Sequence, residues 1–89
     1  MTRTRKDAMV ACFHDAINKN SQFVAILIRM EGYPRDEVII NHIENAKAKL
    51  GYYLTVYDED LRMHRNQSIQ IVGFTHANSF DEIQADLID

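Results

Sequence analysis

Phe23-Val24-Ala25-Ile26-Leu27-Ile28 is an unbroken apolar run, rich in β-branched side chains. A strand with one wet face alternates apolar and polar residues. A continuous run of this length fits a strand covered on both faces. It is far too short to cross a bilayer, which takes about 20 apolar residues. The chain must therefore place this segment inside a sheet and supply cover on either side.

The flanking segments predict that cover. Met9, Val10, Phe13, Ala16 and Ile17 recur at helical spacing over residues 5 to 19, with Thr4 as N-cap and Asp7 in the first turn. Lys19-Asn20-Ser21 ends that helix. After the apolar run, Gly32-Tyr33-Pro34 marks a turn, and Glu37 to Ile40 reads as a second strand closing a hairpin. Residues 36 to 62 admit two readings. One is a helix over 36 to 50 ended by Gly51, then a strand over 52 to 57. The other is one long helix over 42 to 62 capped by Asn41, and three features favour it. Asn41 with Glu44 resembles a capping box. Ile43, Ala46, Leu50, Tyr53, Leu54, Tyr57 and Leu61 form an apolar stripe, and Asp58 with Arg62 makes an i,i+4 pair. Gly51 inside such a helix costs about 1 kcal/mol relative to alanine.

Ile69 to Phe74 reads as a third strand with Gly73 at a bulge. Ser79-Phe80-Asp81-Glu82 is an S-x-x-E capping box opening a last helix, with Phe80, Ile83 and Leu87 directed inward. The order is α-β-β-α-β-α. The expected fold is a single α+β domain over residues 1–89, with a three-stranded mixed sheet in the order 2-1-3. Its third strand runs parallel to the second, through a right-handed crossover.

Composition narrows the function. At 89 residues the chain is one domain, and a net charge of −3 disfavours a general nucleic-acid coat. Binding through the Arg3-Thr4-Arg5-Lys6 arm is disfavoured for the same reason. The single cysteine, Cys12, makes no internal disulfide and reads as a small buried hydrophobe. No metal-ligand spacing is present, so no metal or cofactor is expected, and Asp58 and Asp60 read as solvated acids. His14, His42, His64 and His76 lie apart, and no nucleophile, phosphate-loop or dinucleotide motif occurs. The expectation is a non-enzyme with no catalytic residues. Without a signal-peptide h-region or a spanning segment, the expected location is cytoplasmic and no membrane partner is expected.

Two surfaces are candidates. The expected topology brings the hairpin turn, the loop over 63 to 67 and the start of the first helix to one end of the sheet. Arg3, Arg5, Lys6, Arg35, Arg62, Arg65, His64 and Tyr33 gather there with Glu31, Asp36, Glu37, Asp58, Glu59 and Asp60. A small anion could be held by Arg35, Arg62, His64 and Arg65, with Tyr33 stacking on a base. The plainer alternative is a solvated ring of surface ion pairs, each worth little. The second surface is Ala48, Tyr52, Thr55 and Val56, on the far side of the long helix from its core stripe. An apolar outer face predicts contact with a second copy or a partner, the alternative being another helix of the same chain.

Val24 to Ile28, Gly32-Tyr33-Pro34, Glu37 to Asn41, Leu50-Gly51-Tyr52-Tyr53, Tyr57 to Leu61, Ile71 to Phe74 and Ser79 to Ile83 together resemble short accessory proteins of phages and prophages of Gram-positive bacteria. The resemblance spans about residues 23 to 87. It implies a small non-catalytic protein acting on a host component in the bacterial cytoplasm. Such proteins inhibit a host enzyme by binding it, or sequester a nucleotide signal of host defence. The expected function is sequestration of a small anionic, nucleotide-like ligand by a homo-oligomer. The alternative is a protein-protein inhibitor or regulator of a host protein.

Overall fold

Thr4 opens the first helix, α1 (Arg5–Asn18), through a reciprocal capping box. Its Oγ1 accepts from the Asp7 amide at 3.0 Å, and the Asp7 carboxylate accepts from the Thr4 amide at 3.3 Å. The structure, a computed structural model, describes residues 3–88, so Met1, Thr2 and Asp89 of the expected domain lie outside it. The helix stops at Asn20, which takes a left-handed φ of +52°. The Asn20 and Ser21 amides then return to the Ile17 and Ala16 carbonyls, satisfying the helix end.

The apolar run becomes β1 (Phe23–Met30), an interior strand as its lack of alternation requires. Gly32, at φ +91°, makes the turn into β2 (Glu37–His42), which pairs antiparallel with β1. A single 3₁₀ turn (Ile43–Asn45) leads to α2 (Ala46–Val56). Then come a two-residue strand, β3 (Arg62–Met63), the long β4 (Asn66–Ala77) and α3 (Phe80–Leu87). The fold is α+β.

The sheet corrects the expectation in two ways. It has four strands in the order β2-β1-β4-β3, not three. It is also antiparallel throughout rather than mixed. The expected third strand is β4, and it does lie beside β1. It runs in the direction of β2, but those two strands are not neighbours. The fourth strand is too short to leave a period-two signal. Between β1 and β4 the register moves from Leu27 opposite Gly73 to Ile28 opposite Ile71, so the bulge falls at Val72, beside Gly73.

The long helix over 42 to 62 is also corrected. Asn41 is not its cap. It sits in β2, buried, and its side-chain amide donates to the Tyr53 hydroxyl at 3.3 Å. At the other end Asp58 competes with the helix: its carboxylate accepts the Asp60 and Arg62 amides at 2.9 and 3.0 Å. The expected Asp58–Arg62 side-chain pair is replaced by this turn, and the Arg62 guanidinium donates to the Gln67 carbonyl instead. Leu61 turns the chain back at φ +61° with its side chain wholly buried. The other reading, a strand over 52 to 57, fails as well, since those residues lie in α2 up to Val56.

Two apolar layers result. On one face, α1, α2 and the turn that follows α2 cover Val24, Ile26, Ile28 and Ile71 with Met9, Phe13, Ala16, Ala46, Leu50, Tyr53, Tyr57 and Leu61. On the other, α3 packs Ile83 on Ala25 and Ala77, with Phe23, Val38 and Leu87 at the margin. A side chain at Gly73 would place its Cβ 3.2 Å from Leu87 and 3.4 Å from Leu27, so its absence lets α3 sit close to the sheet. Ser79 caps α3 by accepting from the Glu82 amide at 3.2 Å, while the Glu82 carboxylate takes the Asn78 amide. Phe80 is inward only in part. Its ring tilts against Phe23 of β1 at 5.0 Å between centroids, yet 60 % of its surface stays exposed.

Candidate functional site

The end of the sheet expected to collect charge does bring its elements together. The Lys6 amide donates to the Glu59 carbonyl at 3.2 Å, and the Glu31 amide to the Ser68 carbonyl at 3.0 Å. The five candidate ligand residues nevertheless separate around it. Tyr33 is 67 % exposed in the hairpin turn. Arg35 lines a hollow with Leu27, Asp36, Leu87 and Ile88, on the α3 face. Arg62 lines another with Arg29, Glu31, Ser68 and Gln70. Only His64 and Arg65 share a groove, and it is formed with residues of the second predicted surface.

That groove, of about 430 Å³, is lined by Tyr52, Thr55 and Val56 from α2 and by Met63, His64 and Arg65 from the β3–β4 turn. Three of the four residues predicted as an oligomer or partner interface therefore face two of the five predicted ligand residues. Ala48, the fourth, is exposed one turn earlier on α2. Tyr52 keeps 55 % of its surface exposed, and its ring meets Tyr53 edge-on at 5.7 Å between centroids. The His64 amide donates to the Val56 carbonyl at 2.9 Å, and Tyr57 bridges Met63, which ties the two walls together.

A helix C-terminus carries partial negative charge and would repel an anion. Here Lys6 offsets it, with Nζ donating to the Leu54 and Tyr57 carbonyls at 2.8 and 2.7 Å. Lys6, predicted as part of the charged end, is thus spent inside the fold. Asp58 is spent too. Burial alone would raise its pKa, but hydrogen bonds from Arg62, Asp60 and Gln67, with His64 nearby, hold it below the usual carboxylate range. Among the described residues the one ion pair joins Arg29 to Asp36 at 2.9 Å, which leaves the Arg65 guanidinium without a carboxylate. The groove therefore combines an aromatic and apolar wall with a basic rim.

Arg29 and Met63 were not among the predicted site residues. Arg29 follows the apolar run, and period-two alternation along β1 would have put it on the α3 face beside Asp36. Met63 belongs to a strand too short for any periodicity.

The far end of the molecule holds a polar hollow lined by Lys19, Ser21, His76, Asn78, Glu82 and Asp86. Ser21 Oγ lies 2.8 Å from His76 Nδ1, but Ser21 is only 5 % exposed, and Asp86 accepts from Thr75. Ser21 and His76 pair with each other, and Asn78, Glu82 and Asp86 are engaged in backbone or side-chain hydrogen bonds that fix the strand end against α3. Among the described residues no group of side chains could hold a metal ion, and no helix is long and apolar enough to cross a membrane. Comparison with known proteins gives no matching family model, curated protein or solved structure.

Proposed function

We propose that the protein is a non-catalytic binding protein that sequesters a small planar anion of nucleotide type in the groove between α2 and the β3–β4 turn. The observation that carries this reading is the meeting of Tyr52 with His64 and Arg65 in one groove of about 430 Å³. Tyr52 offers a ring face for stacking, and Arg65 a guanidinium suited to bidentate phosphate contact. In the phage setting that the sequence resembles, such a ligand is a nucleotide signal of host defence, and the protein acts in the bacterial cytoplasm. A thermal-shift panel of mono-, di- and cyclic nucleotides at about 1 mM tests it. A ligand at 100 times its dissociation constant stabilises by about 2.7 kcal/mol, which moves the melting point of a chain this size by roughly 10 °C or more. Arg65→Glu and Tyr52→Ala are expected to remove the shift. No shift with any nucleotide would end this reading.

A second reading, an inhibitor that binds a host protein, is favoured by the neighbouring groove. Tyr52 and Met63 also line a hollow floored by Ile28, Met30, Ile39 and Ile69, so the apolar trough continues beyond a small ligand. In that case Tyr52→Asp abolishes capture of a host protein, and nucleotides leave stability unchanged.

A further inference from the structure

β2 ends the sheet, and its outer edge is unguarded. The Ile43 amide donates to the Gln22 carbonyl at 3.0 Å, one step beyond the Phe23–His42 pair. Bonded pairs alternate along an antiparallel ladder. Asn41, Ile39 and Glu37 therefore bond inward to β1, while Val38, Ile40 and His42 present their backbone N–H and C=O outward. No backbone group outside the sheet ladder meets them among the described residues. Sheets blunt such edges with very short strands, lysine, proline or a bulge. β3, at the opposite edge, is two residues long, whereas β2 runs for six with a charge only at its first residue, Glu37. The outward residues also sit on an apolar surface. Ile40 is 38 % exposed on the α3 face, and Phe80, 60 % exposed, stacks on Phe23 at 5.0 Å between centroids.

We propose that this edge is the seam of a homodimer, in which two copies pair β2 with β2 antiparallel about a two-fold axis. A second copy fits because the edge complements itself in backbone, apolar surface and charge. Outward groups oppose outward groups only when the paired residue numbers share parity, and one such register satisfies the side chains as well. It places Ile39 opposite Ile39 of the second copy on the axis. Val38 then faces Ile40 of the second copy, and each of these two pairs exchanges both of its hydrogen bonds. At each end His42 stands opposite Asp36 of the second copy, an imidazole beside a carboxylate. Sliding by one step in one direction sets Asp36 against Glu44. Sliding in the other sets His42 against Pro34, which has no N–H to give. The seam uses neither His64 nor Arg65, so it stands or falls separately from the proposed ligand.

Sedimentation of the purified chain up to about 100 µM is expected to show a dimer. Ile40→Lys, at an exposed position, should raise the dissociation constant by about tenfold or more with an unchanged circular dichroism spectrum. Arg65→Glu, on the β3–β4 turn and away from β2, should leave the dimer intact. In a Cys12→Ala background, Ile39→Cys should oxidise to a disulfide-linked dimer. Directly opposed residues of a non-hydrogen-bonded pair lie about 4.5 Å apart at Cα, within the reach of a disulfide. Ile40→Cys, which opposes Val38, should cross-link far more slowly. A monomer throughout, dissociation by Arg65→Glu but not by Ile40→Lys, or faster cross-linking at position 40 would each overturn the proposal.

Discussion

Cys12 lies half-buried against the core, and burial, with a smaller effect from Asp15, raises its thiol from 9.0 to about 11. Only the thiolate reacts, so this rise removes about 99 % of the reactive form at any pH well below the ordinary value. Alkylation by iodoacetamide at pH 8 is expected to run about 100-fold slower in the folded protein than in urea. Equal rates would show the thiol to be exposed and unperturbed. Leu61 presents the opposite balance. Its left-handed backbone costs about 1–2 kcal/mol for a residue with a Cβ, and full burial of a leucine returns about 1.5–3 kcal/mol. A residue chosen for burial thus holds a turn that its backbone resists. Neither effect has a signature in hydrophobic spacing.

At the level of elements, the α2–β3 connection depends on Asp58. Its folded pKa is depressed, so its contribution is present above the ordinary carboxylate range and is lost as pH falls through the lowered value. Asp58→Ala should cost about 1 kcal/mol in urea unfolding at pH 7, since the group is solvent-screened. The gap from wild type should close toward pH 2, and Asp58→Asn should retain part of the stability. A gap independent of pH would mean that the turn holds by other contacts. This connection is also where the sequence misleads. The elements with strong local signals, the Thr4 and Ser79 caps, the unbroken run at 23 to 28 and the Gly32 turn, fall where their chemistry puts them. The stripe from Ile43 to Leu61 is equally regular and is buried at Ala46, Leu50, Tyr53, Tyr57 and Leu61. It is buried on a helix that ends at Val56, followed by a turn whose hydrogen bonds come from a side chain. Periodicity records which residues face the core, not which backbone brings them there. The candidate groove shares this history. Tyr52, Thr55 and Val56 were legible as an outer helix face, and His64 and Arg65 as a basic loop. Their meeting depends on a two-residue strand that folds the loop back against α2.

Across the whole molecule, the sheet joins segments far apart in the sequence. β1 pairs with β2 through one short turn, but its other edge waits for β4: Phe23 meets Ala77, and Met30 meets Ile69. Such distant pairings slow folding, because the intervening chain must be ordered first. The two faces are also unequal. Two helices cover one, while a single eight-residue helix covers the other and leaves Ile40, Phe80 and Ile88 exposed beside it.

The interior place of β1 has a consequence on the ribosome, where the chain emerges from its N-terminus. The most apolar strand is made early, while the strand that seals it arrives some forty residues later. Until Asn66 to Ala77 emerge, the nascent chain exposes an apolar strand edge of the kind that chaperones bind and aggregates recruit. A fragment ending at His64 is expected to aggregate or to co-purify with a chaperone when the 89-residue chain does neither. A soluble, monomeric fragment with native-like strand content would show that the hairpin protects itself. Late closure of an early strand thus makes the synthesis of Asn66 to Ala77 the step that decides the yield of folded protein.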